Sequence, residues 1–533
     1  MKNLINITTG AFLFMTTLTS CHKLDLEVKT QLTPETFPQT AQHFVQLTGQ
    51  VYVQLRQGIS TDYFFMQSLS TDEAIMPARG GNWYDGGVFE QHHKHTWTKD
   101  NGHVGSGWNW LSSTISKANQ SLFLLKDAPE SPAKTTAIAE VRATRALAFF
   151  MMMDLWGNIP VVTTFGQTES PETKTRLEVF NFLEAELKEI LPNLSTEVGV
   201  ATYGRPTKYT ANAILAKMYL NAQVYTGTPR YNDAVAQCDA IINAPGSPFA
   251  LESDFRKMFF INNGPQIKEF IFAIPFDPTF DSGNFLPARY SLPRSLRLKY
   301  SLNHTPSAPM STLPEYYANF NDVNDKRNAQ WITGLQYYYN GSPVTVPTTK
   351  KGYDQFYAGS DGGDALTYQV NITPTVTLRD ASRPFDAGND EIAWNMGYRN
   401  NKFYCDSTSA NRNQNNDFPM FRYSDILLMK AEAILRGATP TQGQTALSLV
   451  NQLRAVRTTS APWATVTLED LYKERCREFS WECWHRNDMI RFGKYEGTWG
   501  FKTDNDVRKR LMPIPTGARV LNPKLKQNDG YQP

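Results

Sequence analysis

The chain has 533 residues, more than one domain usually holds, and because no long linker or low-complexity tract divides it, we expect lobes that share one core. Its 53 basic and 51 acidic side chains leave a formal charge of only +2, which argues against electrostatic capture of nucleic acid. Aromatic residues make up 12% of the chain, and their rings serve equally well as core filler and as platforms for sugars, so composition alone does not choose between these roles.

The N-terminus has the pattern of an export signal. Lys2 precedes a mostly apolar run from Leu4 to Leu18, which is too short to span a membrane but fits the apolar region of a signal peptide. Leu18-Thr-Ser-Cys21 then resembles a lipobox with Cys21 as the lipidated residue, and a plain secretory signal cut nearby is the alternative. We therefore predict a signal peptide over residues 1–20 and a lipidated tether over residues 21–36, held to a membrane by its acyl chains.

Apolar residues spaced three and four apart predict a mainly α-helical scaffold. One helix is expected to end at Gly157, because glycine favours a helix stop and the nearby Pro160 excludes the helical state before it. Successive helix pairs indicate stacked tetratricopeptide-like hairpins, which we place in residues 37–244 and 420–495. The predicted helices are Phe37–Gln57, one along Leu111–Leu125, Ala133–Trp156, Thr175–Leu194, Tyr209–Tyr225, Tyr231–Asn243, Tyr423–Arg436, Thr441–Arg457 and Leu468–Arg491.

Helical periodicity fades in residues 245–419, where Gly, Pro, Asn and aromatic residues dominate. Short strand-like runs appear there, such as Phe270–Pro275 and Thr367–Val376. A composition this rich in Tyr and Phe is not that of a disordered linker. We interpret this region as a large, irregular, loop-rich insertion with few short strands, lying on the ligand side of the helical scaffold, since loops on a rigid frame often carry binding residues.

The last predicted helix, Leu468–Arg491, is rich in charged residues, and we expect it to connect other parts of the chain as a brace helix. Glu474, Glu478 and Glu482 are spaced four residues apart, so their carboxylates repel one another on a helix unless nearby cations neutralise them. The sequence offers Arg475, Arg477 and Arg486 for this purpose. Cys476 and Cys483 lie about 10 Å apart along the axis of an intact helix, too far for a disulfide, so free buried thiols are expected.

Signatures of catalysis are missing, and we predict that the protein is not an enzyme: there is no metalloprotease, nucleophile-elbow, P-loop or dinucleotide-binding motif. His93 and His95 would share one face of a strand, which raises a metal site as an alternative to a polar loop. Asp361 and Asp364 offer oxygen ligands for a structural calcium ion but lack the full spacing of a calcium-binding loop. We predict no cofactor and no metal site.

A glycine-rich stretch between Asp72 and Gly87 is the best candidate for a binding site. Its glycines permit a tight loop that presents Asn82, Trp83 and Tyr84 outward. A sugar needs an aromatic face for its C–H surface and amide, carboxylate or guanidinium groups for its hydroxyls. In the alternative, Trp83 anchors the loop to the core. The predicted carbohydrate-binding residues are Asp72, Arg79, Asn82, Trp83 and Tyr84, with Trp331, Tyr337 and Tyr339 as an aromatic arc and Arg379 as a polar clamp, although each of these last four also fits ordinary packing. Trp108 and Trp110 are assigned to structure.

Five segments of the chain share a recognisable pattern with a known family. The most specific is E-R-x-R-E-F-x-W-E-x-x-x-R-x-D-x-I-R-F-G from Glu474 to Gly493, and the other four are Arg145–Thr163, Gly204–Leu220, Phe421–Ile434 and Leu511–Tyr531. Together and in this chain order they resemble the SusD/RagB family of surface lipoproteins. The resemblance implies one SusD-like domain over residues 37–533 with four tetratricopeptide-like helix pairs. The Asp72–Gly87 stretch is also similar to the one from which many such proteins recruit a stacking aromatic.

The same resemblance implies a function at the outer membrane. We expect a lipid-anchored, cell-surface protein that captures an oligosaccharide or polysaccharide and passes it to a SusC-like, TonB-dependent transporter. Two alternatives stay open: a peptide-capturing relative of the RagB branch, and an interaction scaffold without a ligand. A glycan ligand, the transporter and the membrane are therefore the expected partners, and nucleic acid is not.

Overall fold

The computed structural model describes residues 37–277, 287–349, 353–354, 359–360, 365–379, 385–410 and 412–532. The predicted signal peptide, the tether with Cys21, and the pair Asp361 and Asp364 lie outside these residues.

The described chain is mainly α-helical, as the apolar periodicity predicts. Its helices are α1 (Ala41–Arg56), α2 (Phe64–Ser68), α3 (Val88–Lys94), α4 (Gly102–Lys126), α5 (Pro132–Trp156), α6 (Arg176–Ile190), α7 (Lys208–Leu220), α8 (Ala222–Thr226), α9 (Tyr231–Ile242), α10 (Pro287–Ser291), α11 (Pro314–Tyr317), α12 (Glu391–Trp394), α13 (Tyr423–Leu435), α14 (Ala446–Arg457), α15 (Leu468–Phe479), α16 (His485–Arg491) and α17 (Thr516–Leu521). Helix α4 packs on α5, α5 on α6, α7 on α9, and α13 on α14, which makes a stack of helical hairpins. Helix α9 also packs on α13, so the two halves of the scaffold meet.

The strands are short and antiparallel, and each pairs with one partner. They are β1 (Ile159–Pro160), β2 (Thr173–Lys174), β3 (Phe270–Ile274), β4 (Trp331–Ile332), β5 (Gly334–Leu335), β6 (Thr345–Thr349), β7 (Tyr353–Asp354), β8 (Gly359–Ser360), β9 (Ala365–Gln369), β10 (Asn371–Ile372), β11 (Arg399–Asn400) and β12 (Phe418–Arg422). The pairs are β1 with β2, β3 with β12, β4 with β11, β5 with β10, β6 with β9, and β7 with β8. Strand β12 leads directly into α13, so its pairing with β3 fastens the start of the irregular region to the scaffold.

Local sequence signals set the ends of several helices. Thr175 and Glu178 form a reciprocal capping box at the start of α6, which satisfies backbone N–H groups that have no partner within the helix. Helix α5 stops at Gly157, whose φ of 70° is left-handed. A Cβ atom at position 157 would lie only 2.8 Å from Leu511 Cδ1. Glycine is therefore favoured at this position both by the backbone conformation and by the packing.

The predicted brace helix is broken in two. Helix α15 ends at Phe479 and α16 begins at His485. Between them Trp481 and Cys483 have φ values of 60° and 63°, a left-handed conformation that a continuing helix does not allow. The buried Glu73 carboxylate accepts the Trp481 N–H and holds this turn. The prediction of one helix over Leu468–Arg491 is therefore wrong at residues 480–484.

The carboxylates of α15 are buried and are paired with cations from distant segments. Glu478 is 0% exposed and lies 3.0 Å from Arg327, 2.7 Å from Arg422 and 3.0 Å from Arg457. These three arginines belong to the irregular region, to β12 and to α14. Glu478 therefore connects three parts of the molecule that are far apart in sequence.

The arginines predicted as partners of the glutamate row mostly serve other carboxylates. Arg477 does pair with Glu474, at 2.7 Å. Arg475 instead lies 2.9 Å from Asp425 and 2.8 Å from Asp488. Arg486 lies 3.7 Å from Asp154 on α5. The prediction was wrong for Arg475 and Arg486 because carboxylates on other helices, Asp425, Asp488 and Asp154, pair with them instead of the glutamate row.

The cysteines of the described chain are free and buried: Cys238, Cys405, Cys476 and Cys483. The expectation that Cys476 and Cys483 form no disulfide is confirmed. Trp108 and Trp110 are 5% and 7% exposed in the main core, which confirms their structural assignment.

Candidate ligand-binding site

The glycine-rich loop of residues 79–87 is tightly closed. Arg79 and Asn82 exchange backbone hydrogen bonds, with N–O distances of 2.7 and 3.3 Å. The Asp386 carboxylate accepts the N–H of Gly80 at 2.9 Å and thereby ties the loop to residues 385–388. Trp83 itself has a φ of 64°, an unusual conformation for a side chain of this size. The surroundings therefore hold the tryptophan in a defined position at a cost in backbone strain.

The Trp83 side chain is half-buried. Its ring packs edge-on against Tyr290, with centroids 6.0 Å apart and an interplanar angle of 86°, and lies 6.3 Å from the ring of Phe89. One part of the ring contacts the core and another part faces solvent. The geometry thus combines both interpretations of the sequence, since Trp83 anchors the loop and still offers aromatic surface to a ligand.

Arg79 is fully buried, and this burial corrects the prediction that its side chain contacts a ligand. The side chain is 0% exposed, and its guanidinium group donates to the backbone carbonyls of Ala393 and Pro309. It also lies 5.6 Å from the Trp394 ring centroid. Burial lowers the pKa of Arg79 to about 10. A side chain with these contacts holds the base of the loop in place and presents no donor to solvent.

Asp72 is bound to the brace rather than to the loop. Its carboxylate Oδ1 lies 2.6 Å from His485 Nε2, and its side chain is 15% exposed. The pair connects the segment before the loop to α16. Asp72 therefore reaches a ligand only at the exposed edge of its carboxylate.

Asn82, Tyr84 and Arg379 lie near the loop base with partial exposure. The Asn82 amide donates to the Arg79 carbonyl at 3.2 Å, which uses one of its donors within the loop. The Arg379 backbone N–H donates to the carbonyl of Asp386, the residue that anchors Gly80. The structure thus brings Arg379 to the same anchor as the Trp83 loop, although 296 positions separate Arg379 from Trp83 in the sequence (379 − 83).

Trp331 does not form an arc with Tyr337 and Tyr339. It is 9% exposed, and its ring lies 5.0 Å from Phe320 and 5.6 Å from Tyr317. These contacts place Trp331 in the core and correct its predicted contact with a ligand. Tyr337 and Tyr339 are 45% and 75% exposed, as a role in binding requires.

Tyr339 belongs to a group of accessible rings that sequence patterns do not reveal. The group, here called the aromatic platform, consists of Phe260, Tyr300, Tyr339 and Tyr404. The Tyr404 ring lies 5.3 Å from Phe260 and 5.8 Å from Tyr300, and its hydroxyl lies 3.4 Å from that of Tyr339. These residues come from four separate segments, so only tertiary structure brings them together.

One short segment connects the aromatic platform to the Trp83 loop. Tyr290 packs on Trp83, and Tyr300, ten residues further on (300 − 290), packs on Tyr404. The two aromatic groups therefore lie at the two ends of residues 290–300. This arrangement offers a ligand several ring faces separated by polar groups, which is what an extended chain of sugar rings requires.

The histidines near the loop are buried structural groups. His92 and His93 lie in helix α3 and His95 caps it, so the predicted strand is wrong. His93 Nε2 accepts the N–H of Phe501 at 3.1 Å, and burial lowers the pKa of His93 to about 3. Within the described residues, no group of three or more His, Cys, Asp or Glu side chains is arranged to hold a metal ion.

Two family models match the chain. The model described as "SusD family" matches residues 213–531, and the model described as "Starch-binding associating with outer membrane" matches residues 25–220. Among curated proteins, the chain is 26% identical over 413 residues to the starch-binding protein SusD of Bacteroides thetaiotaomicron, covering 74% of this chain and 72% of that protein. It is 24% identical over 450 residues to SusD-like protein P25 of Formosa agariphila, covering 80% and 79%.

Solved structures share the fold. A laminarin-binding SusD-like protein superimposes with a TM-score of 0.70 at 20% identity, covering 92% of this chain and 100% of that one. Surface glycan-binding protein A from Bacteroides thetaiotaomicron, solved with laminarihexaose, superimposes with a TM-score of 0.68 at 20% identity, covering 91% and 99%. The mainly helical, tetratricopeptide-like fold expected from the sequence is confirmed.

Proposed function

The chain belongs to the SusD family, and from this premise we propose that it is a cell-surface lipoprotein that binds a glycan and passes it to a SusC-like, TonB-dependent transporter. The observation that carries the proposal is the half-buried Trp83, fixed on a strained loop with part of its ring open to solvent. Relatives that bind starch or laminarin support a glycan as the ligand class. In this proposal the protein captures its ligand and does not cut it.

The proposal extends to the parts of the chain outside the described residues. Residues 1–20 would be the signal peptide, residues 21–36 the lipidated tether, and residues 37–533 one binding domain. The helices of the described chain include none that is long and apolar enough to cross a bilayer.

We expect Trp83→Ala to weaken glycan binding at least tenfold, equivalent to about 1.4 kcal/mol, because stacking on one aromatic ring supplies energy of this order. Because the ring also packs on Tyr290, we expect a loss of stability smaller than the roughly 3–5 kcal/mol of a fully buried tryptophan. Calorimetric titration against a glycan panel, with thermal melts of the same samples, measures both effects. The bound glycan should keep its chain length after incubation with the wild type.

Two further variants separate binding from folding in that experiment. Tyr339→Ala removes a ring that is 75% exposed and should weaken binding without changing the melt. Phe165→Ala removes a ring that is 47% exposed and packs against Phe123 on the scaffold, and should change neither. Normal affinity in both Trp83→Ala and Tyr339→Ala would refute the site, and shortened glycan would refute capture without cutting.

Cys21→Ala should release the protein from membranes into the soluble fraction, because acyl chains would supply the membrane affinity. Cell fractionation with fatty-acid labelling of wild type and variant measures this. A Cys21→Ala protein that still sediments with the outer membrane and still takes up label would show that another residue carries the anchor.

A further inference from the structure

The segment between the Trp83 loop and the aromatic platform is strongly basic. Residues 282–314 contain no Asp or Glu but contain Arg289, Arg294, Arg297 and Lys299. The whole chain carries a formal charge of only +2, so this segment concentrates charge that is balanced elsewhere. Arg294 pairs with Glu391 at 2.8 Å, and the other cations have different surroundings.

Those other cations bond to neutral groups. Arg289 Nε donates to the Ser307 hydroxyl at 3.0 Å, Arg297 Nε to the Leu302 carbonyl at 3.1 Å, and Lys299 Nζ to the Gln336 amide oxygen at 3.2 Å. Among the residues that the structure describes, no carboxylate lies within 4.0 Å of their charged groups. Each of the three is therefore a cation that forms no ion pair with a carboxylate of the described residues.

Two cations from other segments join this group. Arg256 donates to the Asn401 carbonyl at 2.7 Å, and its guanidinium carbon lies 5.4 Å from the Tyr404 ring centroid. Arg412 is exposed. Burial and the charges of Arg412 and Arg297 lower the pKa of His304, as expected if both guanidinium groups lie close to that imidazole.

Few carboxylates of the described residues lie near this surface. Asp406 is buried, and its carboxylate accepts hydrogen bonds from Thr408, Ser409 and Asn415. Asp62, close to Tyr290, is partly buried, and burial raises its pKa to about 6, so it still carries most of its charge at pH 7. Asp85 on the Trp83 loop and Asp254, whose charge acts on Arg256, are exposed acids. Within the described residues, the cations around the rings therefore outnumber the anions.

Resting on the proposed function, we propose that the ligand is an acidic glycan, whose anionic groups are recognised by Arg256, Arg289, Arg297, Lys299 and Arg412. Holding partly desolvated cations together without anions is unfavourable, and a bound anion removes that cost. Guanidinium groups match the planar oxygens of a carboxylate or sulfate, and the tyrosines supply ring faces. Starch and laminarin, bound by relatives of this chain, are neutral glucans. The proposed ligand of this chain therefore differs in charge from the ligands of those relatives.

Matched pairs of glycans test the charge directly. The full chain is titrated with polygalacturonate and its methyl ester, with a sulfated galactan and its desulfated form, and with laminarin. We expect one acidic member to bind at least about tenfold more tightly than its neutral counterpart, with a preference that shrinks as NaCl rises and screens the attraction. The pair that shows the effect identifies the anion as carboxylate or sulfate.

Charge variants locate the recognition. The double variant Arg297→Gln and Arg412→Gln removes two exposed cations and should abolish most of the preference for the acidic glycan. Its control, Lys524→Gln and Lys526→Gln, removes two exposed cations from the C-terminal segment and should leave the preference unchanged. Both doubles change the net charge equally, so bulk charge does not explain a difference between them.

Equal binding of acidic and neutral members would overturn this inference while leaving glycan capture intact. A preference for the acidic member that persists in the Arg297/Arg412 double would overturn it too. Polyglutamate, which has charge but no sugar rings, should bind weakly, and binding as tight as the acidic glycan would show that only non-specific ion exchange occurs. Failure of every glycan to bind would refute the proposed function itself.

Discussion

Glu478→Ala is expected to lower the free energy of unfolding by about 3–5 kcal/mol, because it removes the carboxylate that three buried arginines share. Arg327 keeps Asp325, and Arg422 and Arg457 keep Glu269, but the buried cluster loses one negative charge and the hydrogen bonds that it accepts. Burial alone would raise the pKa of Glu478, but the charges of Arg457, Arg422 and Arg327 hold it well below its ordinary value. The carboxylate is therefore ionised in the folded protein. Urea unfolding followed by tryptophan fluorescence measures the loss.

A second glutamate on the same helix provides the control. Glu469 at the start of α15 is about half exposed, with Lys494 at 2.7 Å and Lys473 at 3.6 Å. Glu469→Ala should cost about 1 kcal/mol or less, since surface ion pairs and helix-end charges contribute little. Equal unfolding midpoints for the Glu478→Ala protein and the wild type would show that the buried cluster adds no net stability.

The sequence predicts the helical scaffold well because its signals are local. Capping pairs such as Thr175 with Glu178, and a stop such as Gly157, act within a few residues and appear directly in the chain. The break at residues 480–484 has no such signal. It depends on Glu73, 408 positions away, which accepts the Trp481 N–H (481 − 73).

The candidate binding site is only partly predictable from the sequence, because contacts between distant segments decide which of its side chains are accessible. A glycine-rich loop can be recognised in the sequence, and Trp83 does lie on one. Burial cannot be recognised in the sequence, which therefore predicts Arg79 as a ligand contact although its guanidinium group is enclosed and donates to the carbonyls of Ala393 and Pro309. Tyr300 and Tyr404 show the converse, because their side chains meet only after residues 290–300 have folded over the scaffold.

The pair His485 and Asp72 couples the segment before the loop to the brace, and we expect its contribution to stability to depend on pH. Burial alone would lower the pKa of His485, but the Cys476 sulfur at 3.9 Å from Nδ1 and the Asp72 carboxylate at 2.6 Å from Nε2 hold it well above its ordinary value of 6.5. A pKa raised on folding means that the folded state binds the proton more tightly. The stabilisation is thus complete below pH 6.5 and is lost as the pH rises through the folded value.

Asp72→Asn should therefore destabilise the protein most at pH 6 and progressively less towards pH 9, with about 1.4 kcal/mol for each unit by which Asp72 raises the pKa of His485. Other groups titrate in this window: burial lowers the pKa of Lys402 to about 8, and its contribution has the opposite sign. Only the difference between variant and wild type isolates the pair. Urea unfolding of both proteins from pH 6 to pH 9 measures this difference.

Asp506→Asn, which removes the surface partner of Arg508 at 2.8 Å, is the control and should show no such trend. A loss in Asp72→Asn that stays constant from pH 6 to pH 9 would show that Asp72 does not change the protonation of His485 within this range.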